Sequence, residues 1–513
     1  MSASPPGARA LMLQGTASHA GKTVLAAALC RIYARRGVRV APFKAQNMSL
    51  NSFVTPDGGE LGRAQAYQAR AAGVEPHVDM NPVLLKPSSD ARSQVIVLGH
   101  PVAHMTVSEY HAYQAEVWPV VTAAFERLLA ANDLIVIEGA GSAGEINLRG
   151  QDIVNMRMAR YAGCPVLLVG DIDRGGVFAS LVGHMEVFTP KERALVAAFI
   201  INKFRGDSSL LDPGIEELRE RTGVPTLGVV PMLEGWRGDD EDSVAIEDRP
   251  SRTKPDAPLQ IAVVRLPFIS NFTDFDALAD EPDVNVRYVT APADLDGLVA
   301  IVLPGTKSTI ADLAWLRESG LAAAVQAQAA ANTPLIGICG GYQMLGRRIR
   351  DPEHVESEAE SVDGLGLLDA ETSFAAEKRT VRVDGELLGK ASNPLGPPGT
   401  PVRGYEIHMG RTTLAAGATP LLRVRGAAGS EHDDGAFATI AGGTAAAPVC
   451  GSYVHGLFDH PALRAAFLSR LRAARGLSLR SSAAPPTADD IDRLADHVEA
   501  HLDADLLERI VGL

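Results

Sequence analysis

The nine residues GTASHAGKT, from Gly15 to Thr23, decide the fold of the first half of the chain. The common phosphate-binding loop reads GxxxxGK[ST], and here the first glycine lies one residue further from the final GKT. The loop follows the apolar run Ala10–Leu13 and precedes a helix-compatible stretch, Thr23–Arg36. In such a loop, backbone amides and a helix N-terminus surround phosphate oxygens. Lys22 would supply a charge for the β- and γ-phosphates, and Thr23 a hydroxyl for Mg²⁺. The spacing therefore predicts an ATP site.

Further short apolar runs follow, each ending in glycine or polar residues, with helix-compatible stretches between them. These runs are Val38–Ala41, Leu134–Ile137, Val166–Val169, Ala197–Ile201 and Thr226–Val230. The alternation predicts an α/β, doubly wound parallel sheet with ligands at the carboxyl ends of its strands. Lys44 and Asn202, after two of the runs, are candidate contacts to phosphate and to adenine. Glu138, after another run, is a candidate magnesium ligand together with Thr23. The predicted ATP-binding set is Gly15, Thr16, Gly21, Lys22, Thr23, Lys44 and Asn202.

The alternating pattern stops in a charged, proline-containing stretch at 234–258. We interpret this stretch as a linker between a first domain at 8–233 and a second α/β domain at 259–470. Residues 471–513 are typical of a helical tail whose apolar residues share one face, with Thr487 as a helix cap.

The second domain contains GICGG, in which Cys339 stands between glycines after an apolar run. This is the pattern of a nucleophile elbow, a strand-to-helix turn in which glycines leave room for a protruding side chain. A helix N-terminus also lowers the pKa of a thiol. A cysteine nucleophile needs a base, and His455 after the final strand is the first candidate, with His408 as the alternative. The amides of Gly305, in LPGTKST, and Gly340 are candidates for an oxyanion hole.

Composition excludes several classes of protein. The 513 residues are 46% hydrophobic and 21% charged, which is typical of a globular chain. The net charge of −14 is the opposite of what a general nucleic-acid binder needs. The four cysteines form no CxxC pair, which argues against a disulfide framework or a zinc site. With no membrane-length apolar run and no signal peptide, we expect a cytoplasmic enzyme without a membrane partner.

Both halves resemble known families. The first shares the GT-x-S-x-x-GKT loop and a strand-terminal segment, here IEGAG, with dethiobiotin synthetase-like enzymes, which activate carboxylates with ATP and Mg²⁺. The second resembles class I glutamine amidotransferases in its PGT, G-x-C-x-G and strand-terminal His motifs. Most of that class have Glu two residues after the His, where this chain has Leu457. The same departure marks the branch that acts in cobalamin biosynthesis with a Cys-His pair, and it leaves open whether another acid orients His455.

Longer segments, in order across about residues 10–480, are similar to the cobyric acid synthase family. They are FKAQNMSLNS, GRAQAYQA, NPVLLKP, INLRGQDIVNM, GDIDRGGVFA and RGYEIHMGRT. The resemblance implies amidation of the b, d, e and g side chains of adenosylcobyrinic acid a,c-diamide, with one glutamine and one ATP per round. It also implies an internal passage for ammonia. The small-molecule partners would then be a corrinoid, glutamine and ATP, with Mg²⁺.

A large, anionic and amide-bearing corrin needs amide side chains and a few cations around it. Predicted loops supply a candidate substrate-binding set: Gln46, Asn47, Asn51, Gln65, Asn81, Lys86, Arg149, Asp152, Asn155, Asp173 and Arg174. Among the acids, Asp152, Asp171 and Asp173 are poor direct partners for an anion, so we expect a metal or a water between them and the corrin.

Two alternatives remain at this point. Cobyrinic acid a,c-diamide synthase has the same two halves but amidates different carboxylates, and the QNMSLNS and DIVNM segments argue against it. A MinD-like P-loop ATPase that forms no amide would have no use for the cysteine elbow.

Overall fold

The computed structural model describes residues 9–89, 92–233, 254–389, 392–426, 429–442, 445–478 and 488–512. Most of the predicted linker and the predicted cap Thr487 lie outside these residues. Among the described residues, no helix is long and apolar enough to cross a membrane. The chain up to residue 233 is termed the first half, and residues 254–478 are termed the second half.

Six parallel strands form the sheet of the first half, in the order β12-β11-β10-β1-β9-β2. They are β1 (Arg9–Gly15), β2 (Val40–Phe43), β9 (Leu134–Glu138), β10 (Val166–Asp171), β11 (Val196–Phe204) and β12 (Thr226–Pro231). The helices of this half are α1 (Lys22–Arg35), α2 (Arg63–Ala72), α3 (Val107–Ala131), α4 (Met156–Ala162), α5 (Val177–Val187), α6 (Pro190–Arg193) and α7 (Asp212–Thr222). Every residue of β9 is buried, as expected when helices cover both faces of a parallel sheet. The predicted doubly wound sheet is confirmed.

A smaller β structure interrupts the first half between β2 and β9. Its strands are β3 (Gln46–Met48), β4 (Ser52–Val54), β5 (Glu60–Gly62), β6 (Val83–Ser89), β7 (Arg92–Val97) and β8 (His100–Thr106). Four of them form the sheet β3-β6-β7-β8, and β4 pairs with β5. We call residues 46–106 the insertion.

The second half contains a six-stranded sheet in the order β14-β13-β15-β16-β24-β23, parallel except for β23. Its strands are β13 (Leu259–Val264), β14 (Val284–Val289), β15 (Ala300–Leu303), β16 (Leu335–Ile338), β23 (Ala436–Gly442) and β24 (Ala445–Ser452). Its helices are α8 (Asp276–Ala279), α9 (Thr309–Glu318), α10 (Leu321–Ala330), α11 (Gly340–Leu345) and α12 (Pro461–Ala474). Helix α12 includes residue 470, where the sequence predicts the end of the second domain. The predicted domain boundaries stay predictions.

Another sheet completes the second half, with seven strands and the path β18-β17-β19-β20-β25. Its strands are β17 (Arg348–Arg350), β18 (Ser361–Asp363), β19 (Ala370–Leu387), β20 (Pro401–Leu414), β21 (Leu422–Gly426), β22 (Glu431–Asp434) and β25 (Val454–His455). In β25, His455 pairs with Tyr405 of β20. The sequence predicts one final strand, but the structure has two, β24 and β25. The break between them places His455 in the seven-stranded sheet and not in the six-stranded sheet that contains β24.

The tail folds back onto the first half. Helices α13 (Ala488–Glu499) and α14 (Ala504–Val511) pack against the first half, and the predicted apolar face, with Leu494 and Val498, is buried in its core beside α1. Arg31 of α1 forms an ion pair with Asp492, with 2.7 Å between Nε and Oδ1. The tail also continues the edge of the first sheet, since Asp503 donates its N–H to the Leu227 carbonyl of β12.

The insertion forms the contact between the two halves. Ser52 donates its backbone N–H to Oδ1 of Asn271 at 2.8 Å, and Arg382 donates to the carbonyl of Val54 at 2.7 Å. Glu60, on β5, is fully buried between two lysines, Lys86 of the insertion and Lys378 of the second half. Burial alone would raise the pKa of this carboxyl, but the two ammonium groups hold it well below its ordinary value. A charged, desolvated cluster thus lies on the boundary between the halves.

Candidate active sites

The phosphate loop connects β1 to α1. Gly21 precedes the helix at φ 96°, a left-handed conformation that favours glycine, and a Cβ there would lie 2.1 Å from the side-chain nitrogen of Asn202. The Lys22 ammonium lies over the loop, donating to the carbonyls of Ala17 (3.1 Å) and Gly141 (2.9 Å). This arrangement brings the helix N-terminus and one cation to the same point, which suits a phosphate chain.

Glu138 lies at the carboxyl end of β9, beside the loop, and is fully buried. Its Oε1 accepts from the Thr23 hydroxyl at 2.8 Å and from the Lys44 ammonium at 3.0 Å. Its Oε2 accepts from the amides of Gln68 (2.5 Å) and Gln65 (3.4 Å) on α2. A buried carboxylate is costly unless it is paired and hydrogen-bonded, and these four donors meet that need. Sequence reasoning did not select Gln68, although its three-residue spacing from Gln65 on one helix face was available.

Two predicted ATP-binding residues have structural partners of their own. The side-chain nitrogen of Asn202 donates to the Ala20 carbonyl at 2.9 Å, so Asn202 braces the phosphate loop. Lys44 is an ion-pair partner of Glu138. Contacts of Asn202 with adenine and of Lys44 with phosphate stay predictions.

The predicted corrin-binding residues fall into two groups. Those of the insertion, including Gln65 on α2, lie largely out of solvent and are hydrogen-bonded within the protein. Gln46 accepts from Tyr110, Asn47 donates to Gln65, and the Asn51 N–H donates to Ser49. Asn81 donates to the Lys44 carbonyl, and Lys86 donates to Ser52 and Glu60. The others lie on loops near the carboxyl edge of the first sheet: Arg149 donates to the Val187 carbonyl, Asp152 accepts the Val154 and Asn155 amides, and Asn155 exchanges hydrogen bonds with the Ala140 backbone. Their contacts with a corrin stay predictions.

The loop acids are held by basic neighbours. Asp171 forms an ion pair with Lys203 at 2.9 Å and lies 3.9 Å from Arg174, while Asp173 pairs with Arg205 at 3.0 Å. Among the described residues, no group of three or more His, Cys, Asp or Glu side chains is placed to hold a metal ion.

Cys339 stands between β16 and α11 with φ 51° and ψ −109°. A non-glycine residue in this conformation is strained and is held there only by its surroundings. The neighbouring glycines are required sterically, since a Cβ at Gly341 would lie 2.0 Å from the Leu303 carbonyl oxygen. The backbone N–H of Cys339 donates to the Ser452 carbonyl at 2.8 Å, which fixes the turn. The structure thus has the strained elbow that the GICGG motif predicts.

His455 lies beside Cys339 and lines the same cavity, while the thiol itself donates to the Ile407 carbonyl, with 3.5 Å between Sγ and O. On the other side, Nδ1 lies 2.7 Å from Oδ2 of Asp274, and both side chains are almost fully buried. The other oxygen of Asp274 accepts the Gly456 N–H at 3.1 Å. Burial alone would lower the pKa of His455, but the Asp274 carboxylate and Cys339 together raise it to about 10. In space, His455 therefore lies between the cysteine and an acid. The acid, Asp274, comes from a 3₁₀ turn at Phe272–Phe275.

The alternative base, His408, is oriented differently. Its Nδ1 lies 2.7 Å from the Gly410 carbonyl, and its ring stacks on Tyr453 with 3.7 Å between centroids. Burial lowers its pKa to about 4. The geometry favours His455, which is paired with the Asp274 carboxylate beside the thiol, over His408, whose Nδ1 is committed to a backbone carbonyl.

The candidate oxyanion residues surround the same point. A Cβ at Gly305 would lie 2.7 Å from the His455 ring, and a Cβ at Gly340 would lie 2.6 Å from the Thr306 side chain. The loop of Gly305 and the first turn of α11 are therefore in contact beside the thiol. Two backbone amides in such positions could stabilise a developing oxyanion.

A cavity of about 370 Å³ opens onto Cys339 and His455. Its lining combines both halves of the chain, with Lys86 and Ser88 from the insertion and Gln343 from α11. Ser308 in the second half donates to the Ser88 carbonyl at 2.8 Å, which closes the boundary at this point. The thiol thus faces a space that the nucleotide-binding half helps to build.

Comparisons with known proteins cover nearly the whole chain. Residues 11–242 match the family model described as the CobQ/CobB/MinD/ParA nucleotide binding domain. Residues 260–463 match the CobB/CobQ-like glutamine amidotransferase domain. Three similar relatives are named cobyric acid synthase: those of Sorangium cellulosum (53% identity, 98% of each chain), Moorella thermoacetica (51%, 99% of this chain and 98% of the relative) and Pelotomaculum thermopropionicum (51%, 99% and 97%).

Proposed function

Because the chain belongs to the cobyric acid synthase family, we propose that it amidates the b, d, e and g carboxylates of adenosylcobyrinic acid a,c-diamide. The chain is a glutamine-dependent amide ligase, with a nucleotide-binding half and an amidotransferase half. Each of the four rounds consumes one ATP and one glutamine, and the final product is adenosylcobyric acid.

The amidotransferase half supplies the nitrogen. The Cys339 thiolate attacks the side-chain amide carbon of glutamine, and the oxygen takes up negative charge beside the amides of Gly305 and Gly340. His455 gives its proton to the leaving nitrogen, so that ammonia departs and a thioester remains. Water, deprotonated by His455, then cleaves the thioester to glutamate and restores the thiol. Asp274 holds the ring in position and stabilises its protonated form.

The nucleotide-binding half makes the carboxylate reactive. A carboxylate at neutral pH resists attack by ammonia, whereas an acyl phosphate formed with ATP accepts it. Lys22 and the backbone amides of Gly15–Thr23 bind the phosphates and stabilise the charge that moves during transfer. Thr23 and Glu138 offer adjacent hard oxygen donors that fit Mg²⁺, which would neutralise phosphate charge when bound. Lys44, Gln65 and Gln68 orient Glu138 through hydrogen bonds to its carboxylate.

The observation that carries the proposal is the position of the cysteine cavity. A glutaminase that worked alone would not need the other half of the chain to line its pocket, yet Lys86 and Ser88 of the insertion do so. Ammonia released at Cys339 therefore emerges against the half that carries the phosphate loop. A passage along this boundary would keep ammonia from being protonated in bulk solvent before it is used.

Mass spectrometry of the corrin products, with ATP and glutamine present, tests the proposal. We expect four successive conversions of carboxyl to carboxamide on adenosylcobyrinic acid a,c-diamide, each requiring ATP. Amidation of only the a and c positions of cobyrinic acid would instead assign the chain to the a,c-diamide reaction. ATP hydrolysis without any amide product would contradict the ligase assignment.

A further inference from the structure

Two charged groups in the cysteine cavity have no role in the chemistry described so far. Lys307 and Glu356 both line the space that contains Cys339. Lys307 lies in the LPGTKST loop, two residues after Gly305, and its backbone N–H donates to the Phe268 carbonyl at 3.0 Å, which fixes the start of its side chain. Within the described part of the chain, its ammonium forms no hydrogen bond and no ion pair, unlike those of Lys86 and Lys378.

Glu356 is held in place by its backbone contacts. Its two carboxylate oxygens accept the N–H groups of Thr309 (2.8 Å) and Ile310 (3.2 Å) at the start of α9. Burial raises the pKa of Glu356 to about 7, in spite of these bonds and of the nearby Lys307. Burial lowers the pKa of Lys307, and Glu356 acts against that shift. The two groups thus influence each other electrostatically, yet among the described contacts they form no direct ion pair.

A cation and an anion that line one cavity beside a nucleophile, with no direct ion pair between them among the described contacts, suit a zwitterionic ligand. Glutamine carries its reactive amide at one end and a zwitterion, an α-carboxylate and an α-ammonium group, at the other. We propose that Lys307 binds the α-carboxylate and Glu356 the α-ammonium group, so that this pair selects glutamine among primary amides. The inference rests on glutamine being the nitrogen donor, as proposed above.

The physical reason for such a pair is selectivity in a buried site. A desolvated charge left without its partner is penalised, so an amide lacking either group leaves Lys307 or Glu356 unsatisfied. Charge-assisted hydrogen bonds then discriminate by about 10- to 100-fold for each group. The same pair would direct the amide end toward Cys339, because the head group can face the charges in only one orientation.

The experiment uses the full chain with saturating ATP and corrin, and measures kcat/KM for three amides. These are L-glutamine, 4-carbamoylbutanoate, which lacks the α-ammonium group, and 4-aminobutanamide, which lacks the α-carboxylate. For the wild type we expect both analogues to be poorer than L-glutamine by about 10- to 100-fold. In Lys307→Met the preference for L-glutamine over 4-aminobutanamide should disappear. In Glu356→Gln the preference for L-glutamine over 4-carbamoylbutanoate should disappear. Each variant should keep the other preference.

Two controls separate this result from misfolding. Glu353→Gln changes an exposed carboxylate three residues from Glu356 that does not line the cavity, and it should behave as wild type. Amidation with free ammonia should be unchanged in Lys307→Met and Glu356→Gln, because only glutamine binding is altered.

Three outcomes would overturn the inference. One is a wild type whose kcat/KM is the same for the analogues and for L-glutamine, a result that can be detected without any variant. Another is a pair of variants that keep both preferences. The third is an equal loss for all three amides in Lys307→Met, since Lys307 would then act on the Cys339 thiolate and not on the head group. Failure of the proposed function would look different, because the wild type would then use neither glutamine nor ammonia.

Discussion

Replacing Asp274 by Asn tests whether the Cys339–His455 pair depends on a third residue. The substitution keeps the size and one oxygen of the side chain but removes the charge that lies 2.7 Å from Nδ1 of His455. Both side chains are almost fully buried, so water cannot easily replace the lost carboxylate. His455 would then have only Cys339 to stabilise its protonated form.

The pKa of His455 sets the magnitude. It lies at about 10, against an ordinary value of 6.5, and the whole shift corresponds to about 5 kcal/mol at 1.36 kcal/mol per pH unit. Asp274 and Cys339 together outweigh the opposing effect of burial, so we take roughly half of the net figure, about 2–3 kcal/mol, as the loss expected without Asp274. We therefore expect kcat/KM for glutamine to fall by about 30- to 150-fold in Asp274→Asn.

The assay is glutamate release as a function of pH, with ammonia-dependent amidation measured in parallel. The wild type should stay active until the imidazolium loses its proton near pH 10, and the alkaline limb should move to lower pH in Asp274→Asn. The free energy of unfolding also depends on the protonation of His455. A raised folded-state pKa stabilises the protein fully below about pH 6.5, and this contribution is lost as pH rises to about 10. The variant's deficit in unfolding midpoint should therefore shrink toward pH 10.

Asp276→Asn, two residues further along, is the matched control and should leave the glutaminase profile unchanged. Ammonia-dependent amidation should survive in both variants. A glutaminase rate in Asp274→Asn within about threefold of wild type, or ~0.7 kcal/mol, with the same alkaline limb, would refute the role of Asp274.

Three further predictions concern the two halves and the tail. Cys339→Ser should abolish glutamine use but leave amidation with free ammonia, and loss of both would contradict the two-site arrangement. Glu138→Gln should remove the carboxylate with which the buried Lys44 ammonium forms an ion pair, costing about 3–5 kcal/mol; a melting temperature equal to that of wild type would argue against this. Leu494→Ala should destabilise the first half by about 2–5 kcal/mol in denaturant unfolding, and an unchanged midpoint would show that the tail contributes little.

The phosphate loop and the cysteine elbow could be predicted because each depends on neighbours in the sequence. GTASHAGKT and GICGG contain their own glycines, which the turn of each motif requires. The alternation of strands and helices, from which the parallel sheet was predicted, is also a local pattern. Asp274 could not be found this way, because it meets His455 across 181 residues and lies in a segment, FTDFDALAD, with several acids at similar spacing.

The insertion and the destination of the tail were also beyond the sequence. Strands such as Gln46–Met48 and Glu60–Gly62 have three residues each, too few for an alternating pattern to be recognised. The amphipathic face of the tail predicted a helix but not its partner. That partner, α1, is apolar along much of its surface, and nothing in its own sequence says whether a sheet or another helix covers it.

The return of the tail to α1 affects how this protein is made. During translation the phosphate loop and its sheet leave the ribosome first, then the entire second half, and only afterwards the helices that cover α1. The apolar side of α1 must stay exposed, or be covered by something else, for the time needed to synthesise more than half of the chain. The ATP-binding half can therefore reach its final packing only after the glutaminase half exists, which ties the maturation of the two activities together.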